Sequence, residues 1–124
     1  MGPANSTSIT AARLQRTLRR IFHLDALREG QEAVIRRVLD GGNTIAIMPT
    51  GAGKSLCYQL PAVLLSGRTV VISPLIALMK DQCERLRETG IHAVQVNSAV
   101  EAGELREAEE AIAAGRARII FATP

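Results

Sequence analysis

A chain of 124 residues with a net charge of +3 has room for one domain and a modest core. Apolar residues make up 47% of it and aromatic residues 2%, so that core must be aliphatic. No apolar run approaches the roughly 20 residues of a membrane helix, and the first residues lack a basic stretch followed by an apolar one. Neither a membrane span nor a signal peptide is therefore expected, and a cytoplasmic protein is. Cys57 and Cys83 lie far apart without metal-ligand spacing and read as buried, reduced thiols. His23 and His92 have no Cys or carboxylate pattern around them that would make a metal site. The isoelectric point near 9.4 favours a polyanionic partner without specifying one.

Residues 1–10 are small and polar and read as a loose tail. Ala11 to Phe22 has the period of an amphipathic helix, with Leu14, Leu18, Ile21 and Phe22 on one side. Arg13, Arg16, Arg19 and Arg20 lie on the other, an arrangement that usually marks a solvated face. A second helix is expected from about Glu29 to Leu39, carrying Ala33, Val34, Val38 and Leu39 and closed by Gly41-Gly42-Asn43. Thr44 to Met48 is an apolar run of strand length. The glycine-rich stretch 49–55 follows, then a helical pattern from about Lys54 that should be interrupted near Pro61.

Thr69 to Ile72 reads as a second buried strand, and Ser73-Pro74 after it has the chemistry of an N-cap and a first helical position. A helix from Leu75 to about Glu88 is expected to bury Leu75, Leu78, Met79 and Leu86. His92 to Val96 gives a third strand. Ser98 and Glu101 have capping-box spacing ahead of a helix to about Ala114. Arg118 to Ala122 gives a fourth strand, followed by Thr123-Pro124. Strands alternating with helices predict an α/β fold: a parallel sheet with flanking helices and right-handed crossovers, preceded by the two N-terminal helices. Parallel strands end on one edge. The loops at 49–55, Ser73-Pro74, Asn97-Ser98 and Thr123-Pro124 should therefore share it, where such folds hold ligands.

The stretch Met48-Pro49-Thr50-Gly51-Ala52-Gly53-Lys54-Ser55 carries the most specific chemistry. Glycines let backbone N–H groups converge on an anion, and the following helix adds its positive end. A lysine at the end of such a loop reaches the outer phosphates of a nucleotide, and the adjacent hydroxyl can join a magnesium shell. The strict pattern has glycine where Met48 stands, so the motif rests on Thr50 to Ser55. Only two of the fifteen Lys and Arg residues are lysines, Lys54 and Lys80. A compact ammonium at position 54 suits a phosphate nest in a way that a planar guanidinium does not.

Hydrolysis of a nucleotide needs an acidic residue at the end of another strand, and a group that positions water. No apolar strand here ends in Asp-Glu. Asp81, Glu84, Glu101, Glu104 and Glu107 fall in helical patterns. The chain is thus expected to be the front part of a larger protein, with a sheet edge exposed to association.

Four blocks together resemble the start of a RecQ-type DNA helicase of superfamily 2. They are LREGQ at 27–31, MPTGAGKSLCYQLPA at 48–62, VVISPLIALMKDQ at 70–82 and IIFATP at 119–124. Met48 is ordinary in that family. The resemblance implies part of the first RecA-like domain, a P-loop NTPase fold. ATP and magnesium would be its cofactors and single-stranded or duplex DNA its partner. A second RecA-like lobe elsewhere in the protein and a role in DNA repair and recombination follow from the same likeness. It further implies that Gln31 reads the adenine edge and that Arg28 packs beside the base. Leu24 stands where the family often stacks an aromatic residue. Pro49, Thr50, Gly51, Ala52, Gly53, Lys54 and Ser55 would hold the phosphates, Lys54 as the catalytic residue and Ser55 on magnesium. Ser73, Pro74, Lys80 and Thr123 would support a DNA strand at its backbone. ATP hydrolysis coupled to 3′ to 5′ unwinding is the implied activity, in a cytoplasmic, nucleoid-associated enzyme. Two alternatives stay open. One is an RNA helicase of the DEAD-box kind or another P-loop motor. The other, for this chain alone, is a nucleotide- or DNA-binding module without turnover.

Overall fold

The first helix, α1 (Ala11–Phe22), forms where the apolar period places it. Thr10 caps it, its hydroxyl oxygen accepting the Arg13 N–H at 3.0 Å. Arg19 and Arg20 in the last turn suit the negative end of the helix dipole. His23 closes it in the left-handed region at φ 56°. The computed structural model describes residues 9–49 and 53–124. They divide into two compact units that part between Ser66 and Gly67.

In the first unit, α2 (Gln31–Leu39) buries Gln31, Ile35 and Leu39, one residue per turn. Ala33, expected on the buried side, is exposed. Gly41 at φ 83° ends the helix, and the Gly42 N–H donates to the Arg37 carbonyl at 2.9 Å. The third helix, α3 (Leu56–Leu64), runs through Pro61 rather than stopping there. Pro61 is fully buried along with Leu60 and Ala62, and burying that face offsets the missing N–H bond. Leu14 and Leu18 of α1, Ile35 and Leu39 of α2, and Leu56, Leu60 and Leu64 of α3 form one core. Ile9 belongs to the same core, so Ile9 and Thr10 are built into the unit and not into a tail. Residues 1–8 lie outside the described ones.

The run Thr44 to Met48 is not a strand. Ile45 is 91% and Ile47 94% exposed. A strand exists only while neighbouring backbones complete its hydrogen bonds. Among the described residues no strand pairs with this run, so its apolar side chains have nothing to pack on.

The second unit alternates strand and helix as expected. It consists of β1 (Thr69–Ile72), α4 (Ile76–Glu88), β2 (Ala93–Val96), α5 (Ala102–Ala113) and β3 (Ile119–Ala122). All pairs are parallel, in the order β1-β3-β2, so the last strand sits in the middle. Register aligns Ile72, Ala122 and Val96 at the carboxyl ends. Val94 and Ile120 face α5, where Ala108 and Ala111 let the helix come close. Ala93, Gln95, Ile119 and Phe121 alternate to the other face and are also buried. Helix α4 buries Met79, Cys83 and Leu86, while Leu75 is 57% and Leu78 46% exposed. The expected apolar face of that helix is therefore rotated toward Cys83. Along β1, Val70 and Ile72 are likewise exposed.

Two helix starts differ from expectation. Helix α4 is capped at Leu75, and the Ser73 hydroxyl instead accepts the Leu75 N–H at 3.1 Å, bridging Pro74 in a short turn. Helix α5 is capped at Glu101 without a side-chain bond. Ser98 is not its cap, because Asn97 takes over the turn by accepting the Ala99 N–H at 2.9 Å.

Candidate nucleotide site and strand-end loops

The candidate phosphate loop is described at both ends, with Thr50, Gly51 and Ala52 outside the described residues. Pro49 is exposed on its near side. On its far side Gly53 has φ 76°, a left-handed conformation that glycine adopts without strain. Lys54 is exposed and Ser55 half-buried. Ser55 occupies the N-cap of α3, yet its hydroxyl makes no capping bond. Its carbonyl instead accepts the Gln59 N–H at 2.9 Å, which starts the helical ladder. Among the described residues, the Lys54 and Ser55 N–H groups have no backbone partner. A helix start with open N–H groups, an ammonium and an unused hydroxyl is suited to an anion and its metal ion. These groups fit a nucleotide triphosphate with magnesium.

Gln31 lies directly against this turn. It is 2% exposed, the first residue of α2. Its Nε2 donates to the Gly53 carbonyl at 3.1 Å, and its Oε1 accepts the Arg28 N–H at 2.6 Å. The Gln31 N–H in turn donates to the Arg28 carbonyl at 3.1 Å, which closes the turn around Gly30. A Cβ on residue 53 would overlap Gln31 Nε2 and would come 4.0 Å from Arg28 Nη1. The structure thus brings Arg28, Gln31, Gly53, Lys54 and Ser55 together from three segments. Leu24 is 42% exposed, just past α1.

Behind the loop, Cys57 is buried in the first turn of α3, its Sγ 3.9 Å from Met48 Sδ. Burial pushes its thiol above the ordinary value of 9.0. A thiol of this kind is a packing group, not a nucleophile.

The other expected residues lie in the second unit. Ser73, Asn97 and Thr123 each follow a strand, so all three stand at the carboxyl edge of the sheet. Ser73 and Thr123 are neighbours there, since the Ser73 N–H donates to the Ala122 carbonyl at 3.0 Å. Pro74 is exposed beside them, and Lys80 is exposed on the second turn of α4. Sequence reasoning passed over Asn97 and Gln95. Both are buried, and Asn97 Nδ2 donates to Gln95 Oε1 at 3.3 Å. The available signal was a glutamine in the middle of the apolar strand 93–96. A cleft of about 660 Å³ between the end of α4, the start of β2 and α5 holds none of the expected residues.

The pattern of the family described as DEAD/DEAH box helicase matches residues 28–124, which span every one of these groups except Leu24. The chain belongs to that family. This DEAD/DEAH box segment is 44% identical over 113 residues to the ATP-dependent DNA helicase RecQ of Bacillus subtilis, covering 90% of the chain and 19% of that protein. To the RecQ of Haemophilus influenzae it is 40% identical over 107 residues, covering 86% of the chain and 17% of that protein. To the human ATP-dependent DNA helicase Q4 it is 38% identical over 128 residues, covering 100% of the chain and 10% of that protein. The chain therefore spans about a fifth or less of the length of these relatives. Among the described residues, no helix is long and apolar enough to cross a membrane, and no three His, Cys, Asp or Glu side chains are grouped to hold a metal ion.

Proposed function

We propose that this chain is the ATP-binding part of a RecQ-type DNA helicase, and that the whole protein couples ATP hydrolysis to 3′ to 5′ unwinding of duplex DNA in repair and recombination. The observation that carries the reading is the Gly53-Lys54-Ser55 turn at the start of α3, with the Gln31 amide held against it. Lys54 binds the outer phosphates and stabilises charge as the terminal phosphoryl group leaves. Ser55 offers its hydroxyl to magnesium, and Pro49 to Gly53 wrap the phosphates with backbone. Gln31 pairs with the adenine edge, which an amide does by donating and accepting at once. Arg28 packs beside the base, and Leu24 gives an apolar contact in place of a stacked ring. Magnesium, when bound, offsets phosphate charge and bridges the outer oxygens.

Ser73, Pro74, Lys80 and Thr123 hold a single strand of DNA through its backbone. Support comes from the shared carboxyl edge of Ser73 and Thr123 and the exposed ammonium on α4. Such contacts read phosphates, and so make the grip independent of sequence. The relatives carry DNA helicase names, which favours DNA over RNA as the strand.

For the chain by itself, a binding module without turnover is the better reading. None of its three strands delivers a carboxylate at its carboxyl end; Ser73, Asn97 and Thr123 stand there instead. The test is Lys54→Ala in the whole protein. DNA-stimulated ATP hydrolysis should be lost. The unfolding free energy should stay within about 0.5 kcal/mol, because Lys54 is exposed. Retained DNA-stimulated hydrolysis refutes the phosphate assignment.

A further inference from the structure

Gly53 presents a problem that its own chemistry cannot solve. The loop needs a residue without a Cβ there, and glycine fixes the direction of its peptide less than any other residue. The peptide joining Gly53 to Lys54 is planar and trans, so its carbonyl and its N–H point in opposite directions. Whatever holds the Gly53 carbonyl therefore aims the Lys54 N–H. Gln31 Nε2 holds that carbonyl at 3.1 Å, from the rear of the loop. The holder is itself fixed. Gln31 Oε1 is bound by the Arg28 N–H, and α2 is anchored through Ile35 and Leu39, 0% and 1% exposed, in the core shared with α3.

We propose that Gln31 is a positioning residue for phosphate, presetting the 53–54 peptide so that the Lys54 N–H faces the anion before any base arrives. This rests on the reading of residues 49–55 as a phosphate loop. Gln31 then acts on the triphosphate end of the ligand as well as on the base. A residue that only read adenine would leave a ligand without a base untouched.

The test separates the two ends of the nucleotide. Binding of inorganic tripolyphosphate with magnesium chloride, and separately of adenosine, is measured by calorimetry on the whole protein. The proteins compared are the wild type, Gln31→Met, which keeps the shape but not the amide, and Gln31→Asn, which keeps the amide but not the reach. Tripolyphosphate should bind about three- to tenfold more weakly to both variants, the range expected for one lost hydrogen bond. In ¹H–¹⁵N spectra of the 124-residue chain the Lys54 amide should move in both variants. Should Gln31→Met fail to fold, Gln31→Asn decides. Unchanged tripolyphosphate affinity in a folded variant overturns the positioning role and leaves adenine reading intact. No tripolyphosphate binding by the wild type overturns the phosphate loop itself.

Discussion

Replacing Gly53 by alanine tests how tightly the candidate loop is built. At φ 76° an alanine loses about 1–2 kcal/mol through its Cβ alone. The same Cβ would overlap Gln31 Nε2 and push the amide off the Gly53 carbonyl. A displaced amide that is 2% exposed leaves buried groups without partners, at about 1–3 kcal/mol. The sum is a destabilisation of about 2–5 kcal/mol. Urea unfolding of the 124-residue chain measures it, with fluorescence of Tyr58 as the probe, because the chain has one tyrosine and no tryptophan and Tyr58 lies in α3. With a slope of about 1–3 kcal/mol per molar urea, the midpoint should fall by about 1 M or more. A double-mutant cycle isolates the overlap. In a Gln31→Ala background only the backbone part remains, so Gly53→Ala should then cost about 1–2 kcal/mol and the pair should couple by about 1 kcal/mol or more. Effects that add to within about 0.5 kcal/mol would show that the amide does not press on position 53, and the reasoning fails.

Ile47→Ser should change stability by no more than about 0.5 kcal/mol, since the side chain is 94% exposed; an apolar side chain in a paired, buried strand would instead cost about 2–5 kcal/mol in the same urea titration. Thr10→Ala removes the bond to the Arg13 N–H and should destabilise the chain by about 1 kcal/mol, whereas a position in a loose tail would give no shift in the midpoint. Burial raises the thiols of Cys57 and Cys83, so the folded chain keeps their protons when the unfolded chain has lost them. Their contribution is full below the ordinary value of 9.0 and is lost as pH climbs past it. Urea midpoints should fall between about pH 8.5 and 10, and less steeply in Cys57→Ala/Cys83→Ala. Equal slopes in the two proteins would count against this.

Much of the candidate site was legible in one dimension because its chemistry is local. Gly53, Lys54 and Ser55 are consecutive, and the hydroxyl, ammonium and left-handed glycine belong to a single turn. Ser73 and Thr123 could be placed together because parallel strands end on one edge, and the β1–β3 register makes them neighbours. The contact between Gln31 and Gly53 was not legible in this way. It spans 22 residues and depends on where α2 settles against α3. Asn97 was missed for a similar reason, as its side-chain partner Gln95 sits one strand pleat away, inside an apolar pattern.

Local sequence by itself determined α1, with its period of Leu14 and Leu18 and its arginine face, and the three strands of the second unit with their parallel direction. Each of these follows from spacing along the chain, which fixes which side chains share a face. Tertiary structure decided the rest. Pro61 stays within α3 because Leu60, Pro61 and Ala62 are buried together, a gain that no local propensity contains. Helix α4 turns toward Cys83 and leaves Leu75 and Leu78 exposed, because the packing of Met79 and Leu86 selects the face. Thr44 to Met48 has a strand's composition and no strand's partners. Composition can offer a β-ladder, but only a second backbone at hydrogen-bonding distance can form one.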